Sequence, residues 1–185
     1  MRKLIYAINL SLDGCFDHTS LMVDDEIGEY FFDLVRHAGL FVYGRITYQL
    51  MVPYWPDIAK NPAGENTGDI EFAEAFVATK KVVFSRTLKS LEDKNARIAR
   101  ESLKDEILKL KGEEGKYILV GGVDIPSQLI ELGLVDEYYF VVQPVFAGKG
   151  KRLFEGVSLQ EKLKLKLVDS RTFKSGSIAL HYLKQ

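Results

Sequence analysis

The sequence has a single cysteine, no long apolar run and almost no excess of either charge, and each shortage excludes a class of protein. Cys15 alone cannot form an intramolecular disulfide, which fits a reducing compartment. No apolar run approaches the roughly 18 to 20 residues of a membrane span. A net charge of −1 provides no basic field for nucleic acid or anionic lipid. We therefore expect a cytoplasmic protein with no membrane or nucleic-acid partner.

Several common site motifs are also missing. No GxGxxG follows an early strand, and "FAGKGKR" is not a Walker loop, because Val145 and Arg152 stand where that motif needs a glycine and a Ser or Thr. The 3 histidines lack metal-ligand spacing, and the zinc pattern H-x-E…C-x-x-C is absent. We predict neither a metal site nor a deaminase.

What the sequence does contain is an alternation of apolar strands and amphipathic helices, followed by consecutive strands. With 185 residues, 46% of them hydrophobic, the chain is sized for a single domain over 1–185. The pattern predicts an α/β fold of three layers, α/β/α, with a mostly parallel central sheet of about eight strands and an antiparallel C-terminal edge. Strands are predicted in 4–12, 40–44, 81–85, 96–99, 117–120, 136–146, 163–173 and 177–185.

Proline and glycine set the expected ends of two helices. The helix that begins "RITYQLM" is predicted to end near Pro53, which leaves "WPDIAKNPAGENTG" as a long polar loop of the kind found at a rim or lid. Asp124 is predicted to cap a later helix, with Pro126 in its first turn and Gly133 after its end.

The stretch "YILVGGVDIPSQLIELG" places Gly121 and Gly122 at a strand-to-helix corner. Glycine permits a positive φ or the close approach of another molecule, and the start of the following helix offers unpaired N–H groups. A phosphate would fit there. A tight turn with no ligand is the alternative.

Three such corners follow successive strands and share one chemistry. Arginine forks, hydroxyl groups and helix-start N–H groups all bind phosphate oxygens. Each corner alone is also explained by surface charges and caps, but together, at one edge of the sheet, they favour a ligand with more than one phosphate. Their residues are Gly44, Arg45 and Thr47, then Ser85 and Arg86, then Gly121 and Gly122.

The segments "SLDG", "GRITY", "SRTL", "VGG" and "VDEYYFVVQPVFAGKGKRLF" occur in the order typical of the dihydrofolate reductase-like family. Within it, the chain more closely resembles the reductase (C-terminal) domain of RibD, the bifunctional deaminase-reductase of riboflavin biosynthesis. The resemblance implies NADPH as the hydride donor, a homodimer, and a cis peptide between the two glycines of the third corner. It implies Arg45 and Thr47 at the pyrophosphate, Ser85 and Arg86 at the 2′-phosphate, and Gly121 and Gly122 beneath the pyrophosphate.

The resemblance also suggests two catalytic candidates. Asp13 lies where the first strand meets the active-site loop, and an ordinary Asp-Gly turn is the alternative. Glu29 is a candidate substrate anchor, or else part of a solvated helix face. Dihydrofolate reductases carry an acidic residue near the position of Gly28, which has no carboxylate, although Glu26 or Glu29 could serve.

These observations together predict an NADPH-dependent reductase that acts on a pyrimidine- or pterin-like small molecule. It would resemble the 5-amino-6-(5-phosphoribosylamino)uracil reductase domain of riboflavin biosynthesis. Lys149 and Lys151 are candidates for contact with a substrate phosphate. The alternatives are a dihydrofolate reductase and, in another class, a non-catalytic NADP-binding regulatory protein.

Overall fold

The computed structural model describes residues 1–16, 21–157, 159 and 162–185. The strands in these ranges are β1 (Leu4–Ser11), β2 (Leu40–Gly44), β3 (Lys81–Phe84), β4 (Ala96–Ile98), β5 (Ile118–Val120), β6 (Glu137–Gln143), β7 (Leu165–Thr172) and β8 (Ile178–Lys184). They form one 8-stranded sheet in the order β4-β3-β2-β5-β1-β6-β8-β7. Strands β1 to β6 run parallel, whereas β8 pairs antiparallel with both β6 and β7.

Helices cover both faces of this sheet. They are α1 (Asp25–His37), α2 (Arg45–Lys60), α3 (Thr67–Ala78), α4 (Leu103–Gly112) and α5 (Asp124–Glu131). Side chains of α1, α2 and α3 pack on one face, and side chains of α4 and α5 pack on the other. The predicted three-layer fold with an antiparallel C-terminal edge is confirmed.

Alternation along the strands produces the two apolar layers. In β1, Ile5 packs towards α1 while Leu4 and Tyr6 pack towards α4 and α5, as the two-residue period of a strand requires. On the first face, Phe41 of β2 stacks on Phe76 of α3 with ring centroids 5.6 Å apart. Parallel strands buried on both faces explain the continuous apolar runs of the sequence.

The prediction that α2 ends near Pro53 is wrong. The helix continues through Pro53 and Pro56 to Lys60, because its second half packs on α3. The ring centroids of Trp55 and Phe72 lie 4.2 Å apart across that contact. Most of the long loop predicted after Pro53 is therefore helical, and only residues 61–66 connect α2 to α3.

Two further expectations fail at the start of α5. Val123, not Asp124, occupies the N-cap position, and no side chain accepts a hydrogen bond there; Asp124 is instead the first helical residue. The peptide between Gly121 and Gly122 is trans, since the described residues contain no cis peptide bond.

Candidate active site

The three predicted corners lie side by side at the carboxyl edge of the sheet, because β3, β2 and β5 are neighbouring parallel strands. Gly44 at the end of β2 pairs with Phe84, so that Ser85 follows directly beside the start of α2. On the other side, the Gly121 N–H donates to the Val42 carbonyl at 3.1 Å. The sheet order thus unites residues that are far apart in sequence.

The atoms nearest to Cβ positions built on the glycine pair belong to Tyr43 of β2 and Thr47 of α2. A Cβ built on Gly121 would lie 2.8 Å from Tyr43 Cε1, and one on Gly122 would lie 2.3 Å from Thr47 Oγ1. Gly122 also has a φ of 88°, in the left-handed region. A Cβ on Gly44 would lie 3.2 Å from Ile125 Cγ1. These glycines therefore bring the starts of α2 and α5 together.

The helices that meet at this corner differ from the others in how they begin. Asp24, Asn66 and Ser102 cap α1, α3 and α4 through side-chain oxygens. No side chain caps α2 or α5. The first turn of α2 contains no acidic residue, whereas that of α5 contains Asp124. The N–H groups at the start of α2 are consequently the better site for an anion.

Cations and hydroxyls flank this helix start. The Arg45 Nη1 donates to Gln49 Oε1 at 2.9 Å, which holds the guanidinium along the exposed side of α2. Ser85 Oγ accepts the N–H of Leu88 at 2.9 Å, and its own hydrogen can still be donated. Arg86 is exposed at the same edge. This set of donors around an uncapped helix start fits a cofactor that carries phosphates.

Tyr6 contacts the corner from the face of the sheet that α4 and α5 cover, a contact that was not predicted from the sequence. Its buried hydroxyl donates to the Gly122 carbonyl at 3.1 Å. Burial raises the pKa of Tyr6, so the hydroxyl stays protonated and remains a donor. The bond fixes the peptide that leads from Gly122 into α5.

Asp13 lies in the turn that follows β1, and its carboxylate joins two loops. It accepts hydrogen bonds from the Ser11 hydroxyl at 2.7 Å and from the N–H groups of Ala147 and Gly148, each at 3.0 Å. These bonds, with the Ser11 hydroxyl foremost, hold the pKa of Asp13 well below its usual range. The group is thus a permanent anion near neutral pH and a poor proton donor. Its contact with a substrate stays a prediction.

Glu29 has a different environment from the clustered residues. Its carboxylate lies 3.5 Å from Arg36 on the exposed side of α1. The other acidic candidate, Glu26, accepts the Lys174 N–H at 2.8 Å and so is tied to the turn between β7 and β8. A role of Glu29 in substrate binding stays a prediction, which no contact among the described residues supports.

Asn9 of β1 is a second residue that the sequence analysis did not identify as part of a site. Its Oδ1 is buried and, within the described residues, has no hydrogen-bond donor. Leaving such an acceptor unpaired costs about 1 to 3 kcal/mol. The available signal was a polar amide inside the otherwise apolar strand "LIYAINLS".

Two negative findings apply to the described ranges. No group of three or more His, Cys, Asp or Glu side chains there could hold a metal ion. None of the helices there has the length and apolarity of a membrane span.

The sheet order and the helix arrangement define a dihydrofolate reductase-like α/β protein. Residues 2–179 match the family model of the RibD C-terminal domain, and the chain therefore belongs to that family. It is 32% identical over 187 residues to the uncharacterized protein YyaP of Bacillus subtilis (strain 168), covering 98% of this chain and 94% of that protein. It is 25% identical to YwjB of the same organism, covering 99% and 98% of the two chains.

Solved structures share the fold at lower identity. A candidate riboflavin biosynthesis protein from Shewanella sp. PV-4 has a TM-score of 0.75 at 17% identity, covering 99% of both chains. A pyrimidine reductase-like protein from Corynebacterium diphtheriae has a TM-score of 0.67 at 14% identity, covering 100% of this chain and 92% of its own. The Thermotoga maritima diaminohydroxyphosphoribosylaminopyrimidine deaminase/5-amino-6-(5-phosphoribosylamino)uracil reductase has a TM-score of 0.70 at 16% identity, covering 100% of this chain but 57% of that protein.

Proposed function

We propose that the protein is an NADPH-dependent reductase that transfers a hydride to a pyrimidine-like small molecule. The observation that carries the proposal is the uncapped start of α2, which meets the glycine corner and lies beside Ser85 and Arg86. Membership of the RibD C-terminal domain family supports the proposed reaction class.

In this proposal, each corner holds one part of the cofactor. The N–H groups at the start of α2, with Arg45 and Thr47, bind the pyrophosphate, because they combine a helix dipole with charged and neutral donors. Ser85 and Arg86 bind the 2′-phosphate one strand away. Gly121 and Gly122 let the pyrophosphate pass close to the backbone. When bound, a reduced nicotinamide supplies the hydride.

The proposed substrate class rests on the names of similar proteins and not on an acidic side chain in the candidate site. A protein of this fold reduces a phosphoribosylaminouracil, as the Thermotoga maritima name states. Asp13 holds the loop that carries Lys149 and Lys151 at the carboxyl edge, where these exposed ammonium groups would meet a substrate phosphate. Because Asp13 is a permanent anion, we propose that water supplies the proton.

The first test is a titration with NADPH and NADH of the wild-type protein and of Arg86→Ala. Loss of a charge-assisted phosphate contact costs about 1.5 to 3 kcal/mol, so NADPH affinity should fall roughly ten- to a hundredfold while NADH affinity stays constant. Arg36→Ala is the matched control, since it also removes an exposed arginine but lies on α1. If NADPH does not bind the wild-type protein, the proposed function is wrong.

A turnover assay then separates the alternatives. Among the described acidic candidates, Asp13 is held by loop backbone and Glu29 lies in a surface ion pair, which favours the non-catalytic NADP-binding protein as the second candidate. Cofactor oxidation with a pyrimidine and pterin panel supports a reductase. Saturable NADPH binding without oxidation above background supports the regulatory protein. Reduction of dihydrofolate alone supports a dihydrofolate reductase.

A further inference from the structure

We propose that the carboxamide of Asn9 selects the substrate by accepting a hydrogen bond from a ring N–H, which a uracil-like edge presents beside a carbonyl. The inference rests on the proposed function and extends it to a specificity-determining residue. It assigns a role to a buried acceptor that has no donor within the described part of the chain.

The position of Asn9 places it at the carboxyl edge. It pairs with Val141 of β6 near the end of β1, beyond the part of β1 that pairs with β5. Ile5 and Ala7 pack towards α1, and the two-residue period of a strand puts Asn9 on that same face. Val141 is covered there by Ile27 of α1.

Its polar neighbours on this face are already engaged. The Ser11 hydroxyl donates to Asp13 Oδ1 at 2.7 Å. The Gln143 amide donates to the Met22 carbonyl at 2.6 Å and accepts the Met22 N–H at 3.0 Å. Asn9 differs from both, because its oxygen is shielded without a donor although the residue is only partly buried.

The chemistry of a carboxamide fits one class of ligand edge. Its oxygen accepts and its nitrogen donates, so it complements a ring in which N–H stands next to C=O. The terminal torsion of asparagine is broad, and turning the oxygen towards a ligand breaks no hydrogen bond that a described residue donates to it. A ring N–H would therefore remove the penalty that the folded protein carries alone.

The test compares 5,6-diaminouracil with its 1,3-dimethyl derivative, which lacks the ring N–H groups, by calorimetric titration in the presence of saturating NADP⁺. The wild-type protein should prefer the unmethylated ring by roughly tenfold, the value of one buried hydrogen bond. Asn9→Leu, which is close in shape, should lose this preference and keep its NADPH affinity. Urea unfolding should show that Asn9→Leu is at least as stable as wild type, because it removes an unpaired acceptor.

Gln143→Leu is the matched control, since it removes an amide whose partners are present, and it should be less stable than wild type. A methylation preference that persists in Asn9→Leu overturns the inference, because it then arises from shape alone. Binding of NADPH but of neither pyrimidine by wild type also overturns it and leaves the proposed NADPH dependence standing. A loss of NADPH affinity in Asn9→Leu also overturns it, because the N–H that Asn9 accepts would then belong to the nicotinamide carboxamide and not to the substrate ring.

Discussion

Substitution of Gly122 by alanine tests whether the glycine corner requires glycine to let α2 approach the backbone before α5. Its φ of 88° lies in the left-handed region, where a non-glycine residue loses about 1 to 2 kcal/mol. The new Cβ would also lie 2.3 Å from Thr47 Oγ1. Overpacking of this kind costs about 1 to 3 kcal/mol. We therefore expect Gly122→Ala to lower the free energy of unfolding by about 2 to 5 kcal/mol, the sum of the two terms.

Two further variants separate these terms in urea unfolding experiments. Gly64→Ala measures the backbone term, because Gly64 has a φ of 94° and a Cβ there would meet nothing within 4 Å. Thr47→Ala in the Gly122→Ala background measures the contact term, because it removes Oγ1 and leaves the Thr47 Cβ at an ordinary 3.4 Å. Thr47→Ala alone completes the double-mutant cycle.

The expected order of stability is wild type, then Gly64→Ala, then Gly122→Ala, with partial recovery in the double variant. For a chain of this size, each kcal/mol corresponds to roughly 2 to 4 °C in melting temperature, so a thermal scan resolves the order. The reasoning fails if Gly122→Ala costs no more than Gly64→Ala, or if Thr47→Ala gives no recovery in the Gly122→Ala background.

Two other predictions concern hydrogen bonds at the corner and at β4. Tyr6→Phe removes the donor to the Gly122 carbonyl and should weaken NADPH binding severalfold. Tyr138→Phe changes another buried tyrosine and should leave NADPH binding unchanged. Equal effects of the two substitutions would contradict a role of Tyr6 in the corner. Arg97 donates to the buried Glu106 and holds the pKa of that carboxyl below its usual value. The pair therefore stabilises the fold above the unfolded pKa of about 4.3. Its stabilising effect is lost as pH falls through the folded pKa. Glu106→Gln should therefore be less stable than wild type at neutral pH, with a difference that shrinks below about pH 4; a constant difference in urea unfolding would refute this.

The order of strands and helices was predictable because periodicity reports burial directly. Continuous apolar runs such as "LFVY" and "YILV" occur where a parallel strand is covered on both faces. The length of α2 was not predicted, because two prolines outweighed the pattern around them. Tyr48, Met51, Trp55 and Ile58 nevertheless keep the spacing of one helix face through Pro53 and Pro56, and this signal would have extended the helix correctly.

The candidate site was predictable where a motif followed a strand, as at Gly44, Ser85 and Gly121. Residues that act through the strand interior were not, since Tyr6 and Asn9 look like ordinary members of β1. The hydrogen bond of Tyr6 and the unpaired oxygen of Asn9 depend on which strands become neighbours and on which atoms find partners. Strand neighbours and atom partners both follow from the sheet order, which no local spacing in the sequence indicates.

The hydrogen bonds between the loops after β1 and β6 limit how this protein can be re-engineered. The Leu12 N–H donates to the Val145 carbonyl at 2.9 Å, and the Leu153 N–H donates to the Gly14 carbonyl at 2.8 Å, on either side of the Asp13 contacts. A graft that replaces one loop alone would break this set and leave backbone groups unpaired. The two loops thus form a single exchangeable module, to be transplanted between relatives together.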